Sequence, residues 1–124
     1  MSDKIEELAM ETFDLYAFPH DDLKAAREAL EEALGIQMEP HESMYWGDPY
    51  YLFEEGKECF QLLVNAEPLA VEEGEEDPRF EREVPLNFII LYYSNLEDPE
   101  RARYIERTLI AKIPGIRLVK REEK

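Results

Sequence analysis

The chain reads as an α+β fold: a mixed β-sheet with two helices packed on one face, in the order β-α-β-β-β-α-β, close to a split βαβ plan. Three observations predict it. Two segments, 22–34 and 99–113, place apolar residues three and four positions apart, the spacing of a helix with one buried stripe. Short runs around them either alternate apolar and polar residues or are apolar over a strand's length. Glycine, proline and aspartate punctuate these runs, with no flexible linker to divide the chain. The 124 residues therefore read as one domain, 1–124, with a short N-terminal extension at 1–11 and an acidic loop at 67–83.

The elements follow in order. FDLYAF at 13–18 alternates, with Phe13, Leu15 and Ala17 on one face and Asp14, Tyr16 and Phe18 on the other. Pro19 ends that strand, and His20 or Asp21 is placed to cap a helix. The helix carries Leu23, Ala26, Leu30, Ala33 and Leu34 on one stripe, and Gly35 suits the position just past its end. Residues 36–46 and 50–54 are extended, with Gly47-Asp48-Pro49 as the turn signal between them. EEGK at 54–57 is a hairpin turn into a strand at 57–66, whose Phe60, Leu62 and Val64 share a face.

The loop at 67–83 follows, with eight acids among its seventeen residues and prolines at 68 and 78. A loop of that length in a small domain carries function or stays mobile. Residues 84–93, VPLNFIILYY, form the most apolar strand, central in the sheet and covered on both faces. Asn95 or Asp98 caps the second helix, Pro99 fits its first turn, and Ala102, Ile105, Leu109 and Ile113 make its buried stripe. Pro114-Gly115 stops it before a last strand at 116–120. Two strand-helix-strand units thus flank a central hairpin, and their crossovers are expected to be right-handed.

Charge narrows the choice of partner. Thirty acidic side chains against fourteen basic ones give a net charge of −16. Residues 1–100 hold 27 acids and 6 bases, whereas 101–124 hold 3 acids and 8 bases. Such a surface repels nucleic-acid phosphates and anionic membranes, and attracts basic proteins. The basic C-terminal segment can neutralise acids within the domain or in a second copy, so a homo-oligomer stays open. The longest apolar run, FIILYY at 88–93, is far short of the roughly 18 residues of a membrane span. The N-terminus has no basic region followed by an apolar one, so no secretory signal is read there. A single cysteine, Cys59, allows no internal disulfide, and the expected location is cytoplasmic.

Catalytic signatures are sparse. Cys59 lies in a strand outside any cysteine-enzyme motif and reads as a structural thiol. No G-x-S-x-G elbow is present, and no acid is fixed to orient a Ser43–His41 pair. His41, Glu42 and Asp48, with His20 and Asp21, match no metal-ligand spacing, so no metal is expected. The absence of any phosphate-binding glycine loop argues against a nucleotide, and no cofactor is expected.

One stretch does suit binding: EPHESMYWGDPYYLFEEG at 39–56. Its Tyr45, Trp46, Tyr50 and Tyr51 are residue types that dominate interfaces. Glu39, Glu42, Asp48, Glu54 and Glu55 surround them, with His41 in the same candidate contact set, and carboxylates beside aromatic rings suit lysine and arginine. Tyr50 and Tyr51 must point to opposite faces of a strand, and Trp46 is as well suited to the core as to an interface.

In size, acidity, lack of catalytic signatures, the acid-ringed aromatics of HESMYWGDPYY and the EEGEED run at 72–77, the chain resembles small acidic immunity proteins of bacterial toxin–immunity systems. The resemblance is one of general character. It implies a non-enzymatic inhibitor that neutralises a basic partner, such as a toxin nuclease domain, by occluding its active or substrate-binding surface. The alternative is a small ligand-binding domain or enzyme with a site between the sheet and the aromatic hairpin around His41.

Overall fold

The computed structural model describes residues 11–96 and 98–124, with the side chain of Asp48 also outside the description. The extension expected at 1–11 lies outside the described residues except for Glu11, which opens the first strand. The elements are β1 (Glu11–Ala17), α1 (Leu23–Leu34), β2 (Glu39–Ser43), β3 (Gly47–Glu55), β4 (Glu58–Val64), a short α2 (Pro68–Glu72), β5 (Ile89–Leu96), α3 (Pro99–Lys112) and β6 (Arg117–Glu123).

The six strands form one sheet in the order β2-β3-β4-β5-β1-β6, and every neighbouring pair is antiparallel. The α+β class holds, but the expected mixed sheet does not form. The reason lies in β1. It inserts between β5 and β6, so these two run parallel to each other without touching, and α3 bridges them. That is a split strand-helix-strand unit. In the same way α1 carries the chain from β1 past β5, β4 and β3 to the far edge at β2.

Both long helices cover one face of the sheet. Ala26, Leu30 and Ala33 of α1 and Ala102, Ile105 and Leu109 of α3 meet Tyr16, Phe60, Leu62, Leu91 and Tyr93 in the larger core cluster. Their ends follow the predicted chemistry with two choices resolved. Asp22, not Asp21 or His20, caps α1 by accepting from the Ala25 N–H at 3.0 Å, and His20 Nδ1 accepts from the Asp22 N–H. Asp98 caps α3 by accepting from the Arg101 N–H at 3.0 Å.

The opposite face carries a smaller cluster of Leu15, Ala17, Leu63, Val84 and Ile90, with Trp46, Tyr50, Phe80, Phe88 and Tyr92 packed against it. Its cover is the segment between β4 and β5, so the expected acidic loop folds back onto the sheet and holds a helical turn of its own. Asn65, fully buried, fixes that fold. Its Nδ2 donates to the carbonyls of Glu81, Val84 and Pro85, and its Oδ1 accepts from the Glu81 N–H at 2.9 Å. Residues 84–88, expected as strand, are consumed in this turn, with Asn87 at φ 70°, and the ladder begins only at Ile89.

Candidate binding surface

The turn between β2 and β3 sits at 44–46, and Gly47-Asp48-Pro49, expected as the turn, already belong to β3. Ser43 makes the difference. Its Oγ accepts from the N–H groups of Tyr45 (3.1 Å) and Trp46 (3.2 Å), a side-chain mimic of a turn that frees the strand to restart at Gly47. Gly47 takes φ 111°, a conformation side-chain-bearing residues rarely adopt. The turn pushes Met44 and Tyr45 into solvent, at 77% and 46% exposure.

Trp46 turns the other way, half-buried against the second face. Its ring lies 5.2 Å from Phe80 and 6.3 Å from Tyr92, and Tyr45 packs edge-on to it at 4.6 Å and to Phe80 at 5.4 Å. These rings bind the hairpin tip to the folded-back acidic segment and make one surface of the two. Between them runs a groove of about 370 Å³ lined by Glu42, Met44 and Gly47 of the hairpin and by Pro68, Leu69 and Glu72 of α2. Val71, also on α2, is 54% exposed. Both charged lining residues are acids, and Glu73, Glu75 and Glu76 continue the negative surface in the exposed run beyond α2.

The arginines nearest in sequence are engaged. Arg79 donates to both oxygens of Asp77 at 2.8 and 3.1 Å, and Arg82 lies 3.6 Å from the same carboxylate. The hydrogen bonds from Arg79 hold the Asp77 carboxyl down at about 2. Glu81 accepts from the Tyr92 hydroxyl and pairs with Lys120 at 3.0 Å. Burial, and then this hydrogen bond, push the Tyr92 phenol above its ordinary range.

The remaining expected contact residues divide. His41 stacks on its cross-strand partner Tyr50 at 5.6 Å, both half-buried. Tyr51 points to the helical face, under the Arg27 guanidinium at 5.0 Å. Glu54 and Glu55 are exposed, but at the other end of β3, about 25 Å of strand from the groove. The side chain of Asp48 lies outside the described residues. Of the expected set the groove itself takes Glu42, while Tyr45 and Trp46 join the same surface through their ring contacts with Phe80. Met44, Leu69 and Glu72 in the groove and Phe80 beside it are residues that sequence reasoning missed. For Leu69 and Phe80 the signal was present: apolar Leu69, Val71 and Phe80 punctuate the acidic run and have no function in a solvated loop.

The groups that bear on chemistry have other tasks. Ser43 Oγ is an acceptor in the turn. The half-buried Cys59 thiol is pushed up by burial and by Glu54 across the strand, away from the thiolate a nucleophile needs. Among the described residues no group of three or more His, Cys, Asp or Glu side chains is placed to hold a metal ion. No described helix is long and apolar enough to cross a membrane. No protein-family model matches the chain, and no curated protein or solved structure matches it either.

Proposed function

We propose that this chain is a non-enzymatic binding protein that neutralises a basic protein partner, a toxin domain of the immunity-system kind being the partner class its character implies. The observation that carries the reading is the surface on which exposed Met44, Tyr45 and Val71 stand beside Glu42, Glu72 and Glu73. The exposed tyrosine ring supplies contact area with few rotors to freeze, the flexible thioether adapts to what it meets, and the carboxylates select lysine and arginine. A net charge of −16 steers such a partner into encounter. Carboxylates can take the place of phosphates against a basic nuclease's substrate site, so the mode of inhibition we propose is occlusion.

The test is affinity capture from the cells that make the protein, at low and at moderate salt, with bound proteins identified by mass spectrometry. One basic protein retained at moderate salt, and lost with Tyr45→Ala combined with Glu72→Lys, is the expected result. A crowd of basic proteins released together by salt would show the acidity to be generic and would remove the reading.

A further inference from the structure

We infer that the groove between the β2–β3 turn and α2 receives an extended segment of the partner in which an apolar side chain is flanked by arginine or lysine. This deepens the binding reading above and rests on it. The groove's volume, about 370 Å³, sits at the low end for ligand sites, so it holds a few side chains rather than a folded element. Besides the two carboxylates and Ser43, its lining, which we call the floor, is apolar or bare: Leu69, Pro68, the exposed Met44 and the Cβ-less Gly47. Its charges stand apart on separate elements, Glu42 on β2 and Glu72 on α2. A cation paired with these carboxylates leaves the apolar lining uncovered. An apolar residue on the floor with a cation on each side would meet all three features at once.

The site also holds its shape without a partner. The Ser43 hydroxyl fixes the turn, the Trp46–Phe80 contact fixes the turn to the acidic segment, and Asn65 fixes that segment to the sheet. Preformed walls lower the ordering penalty of binding. Among the described residues β2 is an edge strand, the kind of strand beside which an extended segment can add, though Pro40 limits how far such pairing runs.

The experiment uses the full chain and two labelled eight-residue peptides followed by fluorescence anisotropy. One has leucine between two arginine pairs, and the other has glycine in place of the leucine. The leucine peptide is expected to bind about tenfold tighter or more, as burial of one such side chain provides. Met44→Glu, at a position 77% exposed where folding is undisturbed, and Leu69→Lys should each erase that preference. Glu42→Gln with Glu72→Gln should weaken both peptides. Equal, salt-labile binding of the two peptides, or no binding of either, overturns the inference. So does self-association that Leu69→Lys abolishes, because the occupant would then be a second copy. Capture of one basic partner that is indifferent to Met44→Glu and Leu69→Lys also overturns it, yet leaves the proposed function standing. Failure to capture any dedicated partner removes the function itself.

Discussion

At the scale of single residues, Asn65 has the most consequence for the surface. One buried amide holds three carbonyls and one N–H of the segment that covers the second sheet face. Asn65→Ala strips the Glu81 N–H of its partner and takes one donor from each of the three carbonyls, which keep the Val84 N–H, Arg79 and the Phe88 N–H, and burying an unsatisfied polar group costs about 1–3 kcal/mol when water cannot reach it. We expect a loss of about 3 kcal/mol in urea unfolding, with hydrogen exchange at 66–88 rising more than in β1. Cys59 supports a second prediction. Burial first and Glu54 second raise its thiol, so alkylation at neutral pH should be slower than for a free cysteine, and Glu54→Gln should speed it. Equal rates in the two proteins would show that Glu54 does not act on the thiol. Asp77 supports a third. Its carboxyl falls from 3.8 to about 2 on folding, through the hydrogen bonds of Arg79. A depressed carboxyl stabilises the fold above its unfolded value, and that contribution disappears as pH falls from 3.8 toward 2. Asp77→Asn should therefore flatten this part of the acid-unfolding profile and leave the neutral region close to its own plateau.

At the scale of elements, the tip of the β2–β3 hairpin and the acidic segment stand or fall together. Trp46 is the pin, in contact with Phe80 and Tyr92. Trp46→Ala should cost about 2 kcal/mol, less than for a wholly buried tryptophan because the ring is half-exposed. It should also release Phe80, so near-ultraviolet circular dichroism should change while the far-ultraviolet signal of sheet and helices persists. The same elements show what could be read in advance. The stripes of α1 and α3 and the strands holding Leu15, Phe60 and Leu91 follow from local periodicity, because each buries one face against a helix or within the sheet. The turn at 44–46 and the start of β5 did not follow. Both are set by side chains that bond to backbone, Ser43 locally and Asn65 across sixteen or more residues, and periodicity has no access to such bonds. The same limit applied to the site. Composition marked Glu42, Tyr45 and Trp46, whereas Leu69, Glu72 and Phe80 join them only through a fold-back that Asn65 directs.

At the scale of the whole molecule, the uneven charge has a structural use. The basic C-terminal segment, 101–124, is the domain's internal counter-charge: Arg101 pairs with Glu58, Lys120 with Glu81, and Arg121 with Asp14 and Glu106. Acids that hold the sheet to α3 and to the acidic segment are thereby neutralised, whereas among the described residues no ion pair engages Glu42 at the groove or the acids of the 72–76 run. The deepest of these ties is between β1 and β6. Asp14 has a fully buried side chain and accepts from Arg121 through both oxygens, at 2.8 and 2.9 Å. The paired Asp14, Glu106 and the nearby Tyr16 phenol raise the Arg121 guanidinium still further above its ordinary range, the Asp14 hydrogen bonds foremost. Removing one partner of a buried pair strands the other's charge, so Arg121→Met should cost about 3–5 kcal/mol. Replacing both by apolar residues removes the stranded charge along with its mate. Asp14→Leu with Arg121→Met should therefore recover most of the loss, measured as a double-mutant cycle in urea unfolding. If the double variant were as unstable as Arg121→Met alone, Glu106 and the β1–β6 register would have to be what the arginine secures. If it recovers, the loss in Arg121→Met is that of the stranded Asp14 carboxylate, and the last strand docks as well on an apolar pair as on the ion pair.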